Sequence, residues 1–599
     1  MQYAILRKIL AVLIGLGLAA SGLWAAASEE APAAAAGKEM VTDPTTGNQV
    51  VAPSYGGTLT LPYKLPDIAP TDPFYDGGRP TWWISGVNEK LAYANWAIDR
   101  DEFDFSSYYY PFSVMTGNLV ESWATPDPLT IVFHIRKGVH WHNKAPMNGR
   151  ELTAGDVEYN FRRIKGWGKE GVPLQQFDIF RMPVESITAT DKSTVVVKME
   201  QPSLDAVPSF TTGTMAFILP PEVIEQHGDY KDWRNMVGTG PFMLTDLVEG
   251  VSRTYIKNPD YWGHDPKYPE NRLPYVDEVR HLYMGDEATL LAALRSASID
   301  MVHTSGGMSV GSIDTVRSLQ RTNPELQVGP FWIYNNSSAS MNTRNPPFDD
   351  IRVRQAMQMA VDLETINETY YSGLAKPTPT GVIGDNLKGF YVPFEEWPEE
   401  VKKTYRYDPE AAEALLDAAG YPRGADGVRF ETTYVLRGIF DIGIIEALAG
   451  YWDEIGVSVA ITPYDSPTWQ ALVSDHSYEM ATGAVNASLT PAAVMGWYSW
   501  AAKALTLETV GGGSPELEAL HDGFFAATSI EEQQKFAKDY DMFVVRNQFN
   551  VMGPKAPMFQ FAHPWVKGWN GEANMANWND YTIFARFWID QDLKKEMGF

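Results

Sequence analysis

Residues 119–161 constrain the fold more tightly than any other part of this chain. An apolar edge closes at Glu121-Ser122-Trp123. Pro126-Asp127-Pro128 then predicts a turn, because proline fixes φ and aspartate accepts hydrogen bonds from the backbone that follows it. Residues 130–135, rich in β-branched and aromatic side chains, predict a strand. Thr153 and Asp156 stand at capping-box spacing ahead of Val157, Phe161 and Ile164, which recur at helical intervals. The block also holds His134, His140 and His142. A two-residue spacing can serve a metal, but no carboxylate is fixed beside these rings by spacing, so they read as structural or surface residues and no metal site is expected.

At 599 residues the chain exceeds one small core, and several lobes are expected. Its net charge of −27 repels phosphate backbones, which argues against a nucleic-acid partner. There is no cysteine, so disulfides, thiol catalysis, Cys-ligated metals and a lipidated N-terminal Cys are all excluded. Residues 1–27 read as a signal peptide: Arg7 and Lys8, an apolar run, then Ala25-Ala26-Ala27 before a cut at Ser28. Export without a lipid anchor predicts a periplasmic protein. Residues 28–54 lack periodicity and read as a disordered leader, with order starting at Gly56.

Farther on, residues 184–200 alternate as strands do. Val237-Gly238-Thr239-Gly240-Pro241-Phe242 lacks the third glycine and following helix of a dinucleotide fingerprint, and reads as a structural turn. Helices are predicted at 287–297, after Asp349 or Asp350 with Val353, Ala356 and Met357 inward, and after Asp408-Pro409 with Leu415 and Ala418 inward. Gly511-Gly512-Gly513 breaks the chain before a helix at 515–525. Strands and helices mix without a repeat, which gives an α/β or α+β class.

Residues 119–123 with 133–141 and 152–161, then 237–242 with 258–263, 273–279 with 286–301, 342–362 and 407–421 occur in one order. In that order they resemble the family 5 extracellular solute-binding proteins, the peptide/nickel-type periplasmic components of ABC transporters. The resemblance implies a mixed α/β fold, a two-lobed clamp of the large peptide-binding type. Lobe I would comprise 55–81, 202–305 and 541–599, with 82–201 an inserted subdomain, and lobe II would be 306–540. The ligand would lie between lobes that close on a hinge, and closure would signal loading to an inner-membrane ABC permease with its ATPases. A monomer without cofactor, metal or catalytic residue is implied.

Peptide-binding members of that family hold the ligand's amino group with an Asp after a strand in the second lobe. The matching stretch here offers Ala487 or Ser488, and no acid occurs between Glu479 and Glu508. Val485, Asn486, Ser488, Trp497 and Tyr498, with Trp82 and Trp83 of the first lobe, are the candidate ligand contacts. Stacking rings and neutral hydrogen-bonders suit an uncharged ligand such as an oligosaccharide, which stands as the alternative to a peptide-type solute. A second class also stands: Gly307-Met308-Ser309-Val310-Gly311 matches the G-x-S-x-G nucleophile elbow, so a secreted serine hydrolase would use Ser309. A non-transport envelope module on the same fold is the third.

Overall fold

Thr130–Ile135 pairs antiparallel with Val120–Asp127 on one side and Thr194–Met199 on the other, and Val184–Ala189 completes a four-stranded sheet. The computed structural model that shows this describes residues 38–64, 71–73, 84–106, 110–167, 182–213, 216–304, 309–333, 338–438, 442–482, 490–496, 514–573 and 581–599. The first strand does not stop at Trp123. It runs through Pro126 to Asp127, and the register slips between Ala124 and Asp127, where proline has no N–H to give the ladder. Asp127 makes the turn by accepting from the Leu129 amide at 2.9 Å.

Helix Ala154–Ile164 covers the sheet. Its capping box is formed, with the Thr153 amide donating to Asp156 at 2.8 Å. Val157, Phe161 and Ile164 are buried, and Phe161 meets the rings of Phe133 and Phe210. Arg163, on the same helix, is buried against Asp72 at 2.6 Å and so ties the unit to an earlier segment.

The three histidines diverge. His134 is exposed on its strand, and the exposed His140 contacts the Gly149 carbonyl at 2.8 Å. His142 is buried between the two glycines of the 237–242 turn. It accepts from the Gly238 amide at 3.2 Å through Nδ1, and its Nε2 donates to the Gly240 carbonyl at 2.9 Å. Burial lowers its pKa to about 4. The turn itself needs glycine, because a Cβ on Gly238 would stand 1.8 Å from the Val87 carbonyl oxygen.

This unit is inserted within another sheet, ordered Phe242–Val248, Ser252–Lys257, Glu278–Tyr283, Thr58–Tyr63. A three-stranded sheet of Met301–Val302, Ala556–Ala562 and Gln327–Ile333 belongs to the same lobe. The second lobe holds a five-stranded sheet ordered Val457–Tyr464, Phe430–Arg437, Met480–Thr482, Ser338–Met341, Asn550–Met552. The chain passes between lobes after Ile333 and again after Met552. On either side of this passage Ile333 pairs with Ala556 and Ser338 with Met552.

Two pairings bear on the expected lobe boundaries. Gln327–Ile333, beyond the break expected at 306, pairs along its length with Ala556–Ala562. Helix Ile530–Arg546 runs unbroken through 540/541, and Asn550–Met552 pairs in the same sheet as Ser338–Met341. The leader expected at 28–54 is ordered where described. Met40–Thr42 and Gln49–Val51 form a hairpin whose turn is held by Thr45 on Asp43, with Lys267 3.2 Å from the same carboxylate.

Asp350, not Asp349, caps helix Ile351–Met359. In helix Pro409–Ala418, Ala412 and Leu416 face inward, whereas Leu415 is half-buried and Ala418 exposed. The run Ala411-Ala412 and Leu415-Leu416 is apolar on two adjoining faces, and packing on Ile351–Met359 selects one of them.

Two outcomes follow from the His142 turn. A histidine neutral in the fold and protonated when unfolded contributes stability above pH 6.5 that is lost as pH falls through about 4. His142→Gln should therefore lose less stability than wild type between those values, by about 3 kcal/mol in urea unfolding. Gly238→Ala should destabilise the fold by about 3 kcal/mol, read as a lowered denaturation midpoint.

Candidate ligand-binding cleft

The passage between lobes decides which edge of the second sheet faces the first lobe. Met480–Thr482 is antiparallel to Ser338–Met341, so Thr482, opposite Ala339, stands where the chain enters. Phe430–Arg437 runs parallel to Met480–Thr482, and Val457–Tyr464 runs parallel to it in turn. The carboxyl ends of all three strands, at Arg437, Tyr464 and Thr482, thus lie on the edge facing the crossing. Ligands in open α/β sheets bind outside such carboxyl ends. Thr482 Oγ1 accepts from the Arg437 amide at 3.0 Å, and the Arg437 guanidinium lies 5.4 Å from the centre of the Trp469 ring.

At the crossing itself, Lys376 and Lys555 form a two-way backbone bridge. Their side chains converge on Asp385, with Lys555 Nζ at 2.6 Å and Lys376 Nζ at 3.7 Å. Both ammonium groups also stand over the Trp332 ring, at 4.8 Å for Lys376 and 5.6 Å for Lys555. Burial brings the Lys555 pKa down to about 8, against the opposing pull of Asp385. Asn386 buries both ends of its amide with no hydrogen-bond partner among the described residues. Two cations, one carboxylate and one indole therefore meet at the crossing, and Asn386 follows the carboxylate in sequence.

A second contact joins the lobes directly. Asp205, which precedes helix Ala206–Thr212 in the first lobe, accepts from Gln533 Nε2 at 2.8 Å. Gln533 is buried on helix Ile530–Arg546 of the second lobe.

The candidate contacts Trp82, Trp83, Val485, Asn486, Ser488, Trp497 and Tyr498 all lie outside the described residues. Their described neighbours are Ile84, which is buried, Thr482 on the cleft edge, and Val494 and Met495, both buried. Glu479, the acid before the acid-free stretch, is taken up by the sheet: it accepts from the Thr433 amide at 2.7 Å and from the hydroxyls of Thr432 and Thr433. Trp332, Lys376, Asp385, Lys555, Asp205 and Gln533 were not legible in the sequence. The Lys555–Asp385 pair spans 170 positions and the Asp205–Gln533 contact 328, and no local pattern marks either.

Ser309 does not sit on a strand-to-helix elbow. Val310, beside it, makes a β-bridge with Phe559, and the helix begins only at Ile313, capped by Ser312. The nucleophile elbow needs the helix to start at the serine.

Residues 114–504, more than half of the chain, match the sequence profile of bacterial extracellular solute-binding proteins, family 5 Middle. The dipeptide-binding protein of Escherichia coli (strain K12) is 26% identical over 358 residues, 57% of this chain and 62% of that protein. Heme-binding protein A of Haemophilus influenzae is 24% identical over 502 residues, 75% of this chain and 81% of that protein. The chain spans 62% of the length of several curated relatives, the E. coli protein among them. The ABC transporter-associated periplasmic binding protein DppA from Helicobacter pylori, solved in complex with peptide STSA, shares the fold. Its TM-score is 0.69 at 20% identity, over 90% of this chain and 99% of that one.

The interlobe hydrogen bond is testable. Removing it through Asp205→Ala or Gln533→Ala should cost the closed form about 1.5 kcal/mol, a roughly tenfold shift toward open. Small-angle X-ray scattering should show a larger radius of gyration for each variant, and the double variant should add nothing further.

Proposed function

Because the chain belongs to the bacterial extracellular solute-binding proteins of family 5, we propose that it captures a peptide-type solute between its lobes and delivers it to an inner-membrane ABC permease with its ATPases. The observation that carries this reading is the cleft edge: three strand carboxyl ends, Arg437 among them, face a crossing where Lys376 and Lys555 outnumber Asp385. Two cations against one carboxylate favour the carboxylate end of a ligand, and arginine matches a carboxylate fork in geometry as well as charge.

The relatives' names support a binding role over an enzymatic one, since a dipeptide-binding protein and a heme-binding protein share this sequence pattern. The neutral-ligand reading rests on a separate observation: no acid occurs between Glu479 and Glu508, and Glu479 itself is spent on Thr432 and Thr433. A buried ligand ammonium would need a carboxylate partner. We place Trp82, Trp83, Val485, Asn486, Ser488, Trp497 and Tyr498 among the ligand contacts, residues 338–552 in the second lobe, and the mature chain in the periplasm as a monomer released from its signal peptide without a lipid anchor. Among the described residues no helix is long and apolar enough to cross a membrane.

Mass spectrometry of ligand released from denatured protein tests the substrate class. A peptide is expected, and a sugar oligomer would replace this reading with the neutral one. Added back at about a hundredfold over its Kd, the identified ligand should stabilise the fold by about 2.7 kcal/mol and be recovered chemically unchanged. Turnover of the ligand would end the binding-protein reading.

A further inference from the structure

A cavity of ≈ 280 Å³ lies inside the first lobe, between the N-terminal hairpin and the C-terminal segment. Met40 and Val51 of the hairpin cover it, and Trp96, Trp569 and Trp588 supply aromatic wall. It is not the interlobe cleft. Gln327 lines it, and Gln327 is the end of Gln327–Ile333 remote from the crossing, about 20 Å away at the rise of a strand. None of its lining residues falls within 338–552.

The ionic groups around this cavity are matched, with one exception. Arg100 gives Nε and Nη2 to Glu572 at 3.1 and 2.8 Å, and its Nη1 to the carbonyls of Trp96 and Ile98. Lys267 pairs with Asp43 at 3.2 Å. Asp265 accepts from the Tyr275 hydroxyl and the Lys267 amide, both at 2.8 Å. Lys567 has Asp590 as its nearby counter-charge.

Arg586 is the exception. It is 9% exposed, and its Nε and Nη1 have no hydrogen-bond partner among the described residues. What it has is cation–π contact: the guanidinium lies 5.1 Å from the centre of the Tyr93 ring and 5.4 Å from that of Trp96. These ring contacts supply no hydrogen-bond acceptor to the Nε and Nη1 donors. A buried cation with free in-plane donors is costly until an anion takes them.

We infer that this cavity is a second ligand site, distinct from the cleft, that takes a small organic carboxylate with an apolar or aromatic body. The carboxylate docks on the Arg586 edge, and the body rests among Trp96, Trp569 and Trp588. Of the four cations in the lining, Arg100 is held by Glu572, Lys267 by Asp43 and Lys567 lies near Asp590, which leaves Arg586 as the one with donors to offer an anion. The volume fits a single-ring acid better than a peptide. Because the hairpin covers the cavity, occupancy should fasten Met40–Thr42 and Gln49–Val51 onto the C-terminal segment.

The probes are benzoate, benzyl alcohol as its uncharged counterpart, and inorganic phosphate, each titrated into the full-length mature protein by calorimetry. Saturable benzoate binding is expected, with benzyl alcohol and phosphate each weaker by about tenfold or more. Hydrogen exchange should then slow in residues 40–51. Arg586→Lys, which keeps the charge and loses the fork, should weaken benzoate by about tenfold. Equal binding of benzoate and benzyl alcohol on wild type overturns the role of the guanidinium, even if the variant fails to fold. Phosphate binding as well as benzoate overturns the apolar half. Absence of saturable benzoate binding, or exchange protection confined to cleft segments such as 430–437, overturns the site.

Discussion

The structure depends on a short antiparallel ribbon. Gln327–Ile333 and Ala556–Ala562 pair on one side of the lobe junction, and Ser338–Met341 and Asn550–Met552 pair on the other. Each strand is a ladder member in one lobe and leads directly into a passage to the other. A bend between them therefore changes few dihedrals and breaks no ladder, which is how a hinge absorbs domain motion cheaply. The same ribbon fixes the chemistry of the cleft. It sets the direction of Ser338–Met341, this sets the direction of Met480–Thr482, and the parallel strands beyond deliver Arg437 and Tyr464 to the edge facing the first lobe.

Helix Ile530–Arg546 runs from the Asp205 contact toward the segment beside the crossing. Gln533, near its start, reaches Asp205 across the cleft. Asp541, about 12 Å farther along at helical rise, accepts from the Ile383 amide at 3.0 Å, two residues from the Asp385 that holds Lys555. Burial raises the Asp541 carboxyl to about 7, as it does Glu89, which sits among Tyr261, Trp262 and Asn118. Acids held neutral in the fold contribute stability that is lost as pH rises through about 7, whereas His142 and His303, lowered by burial to about 4 and 3, lose theirs as pH falls. The two slopes oppose one another between about pH 4 and 6.5, which flattens the net dependence in that window.

What was legible in the sequence was local. The capping box at Thr153 and Asp156, the strand Thr130–Ile135 and the caps at Asp350 and Asp408 all rest on neighbours within a few residues, and each formed. The ordered motif set also gave the family and the two-lobed fold. The lobe boundaries expected at 306 and 541 take no account of the pairing between Ile333 and Ala556, which no window along the chain can see. The hairpin at 40–51 was missed for a similar reason: its composition resembles a leader, and its order comes from Lys267 reaching Asp43. The inward face of Pro409–Ala418 was misjudged by one residue because two adjoining faces are equally apolar, and only the partner helix chooses.

The acid-free stretch and the crossing bear on one question from opposite sides. Where an acid would be expected to hold a ligand ammonium, the chain has none between Glu479 and Glu508, and the acid nearest the hinge, Asp385, already faces two lysines. A ligand ammonium entering there would have to compete with Lys555, which already holds Asp385 at 2.6 Å. A ligand carboxylate meets no such competitor, because Lys376 stands 3.7 Å from Asp385 and is half exposed, free to turn toward an anion. On the reading proposed above, the charge balance at the crossing would let recognition rest on the carboxylate end of the ligand rather than the amino end.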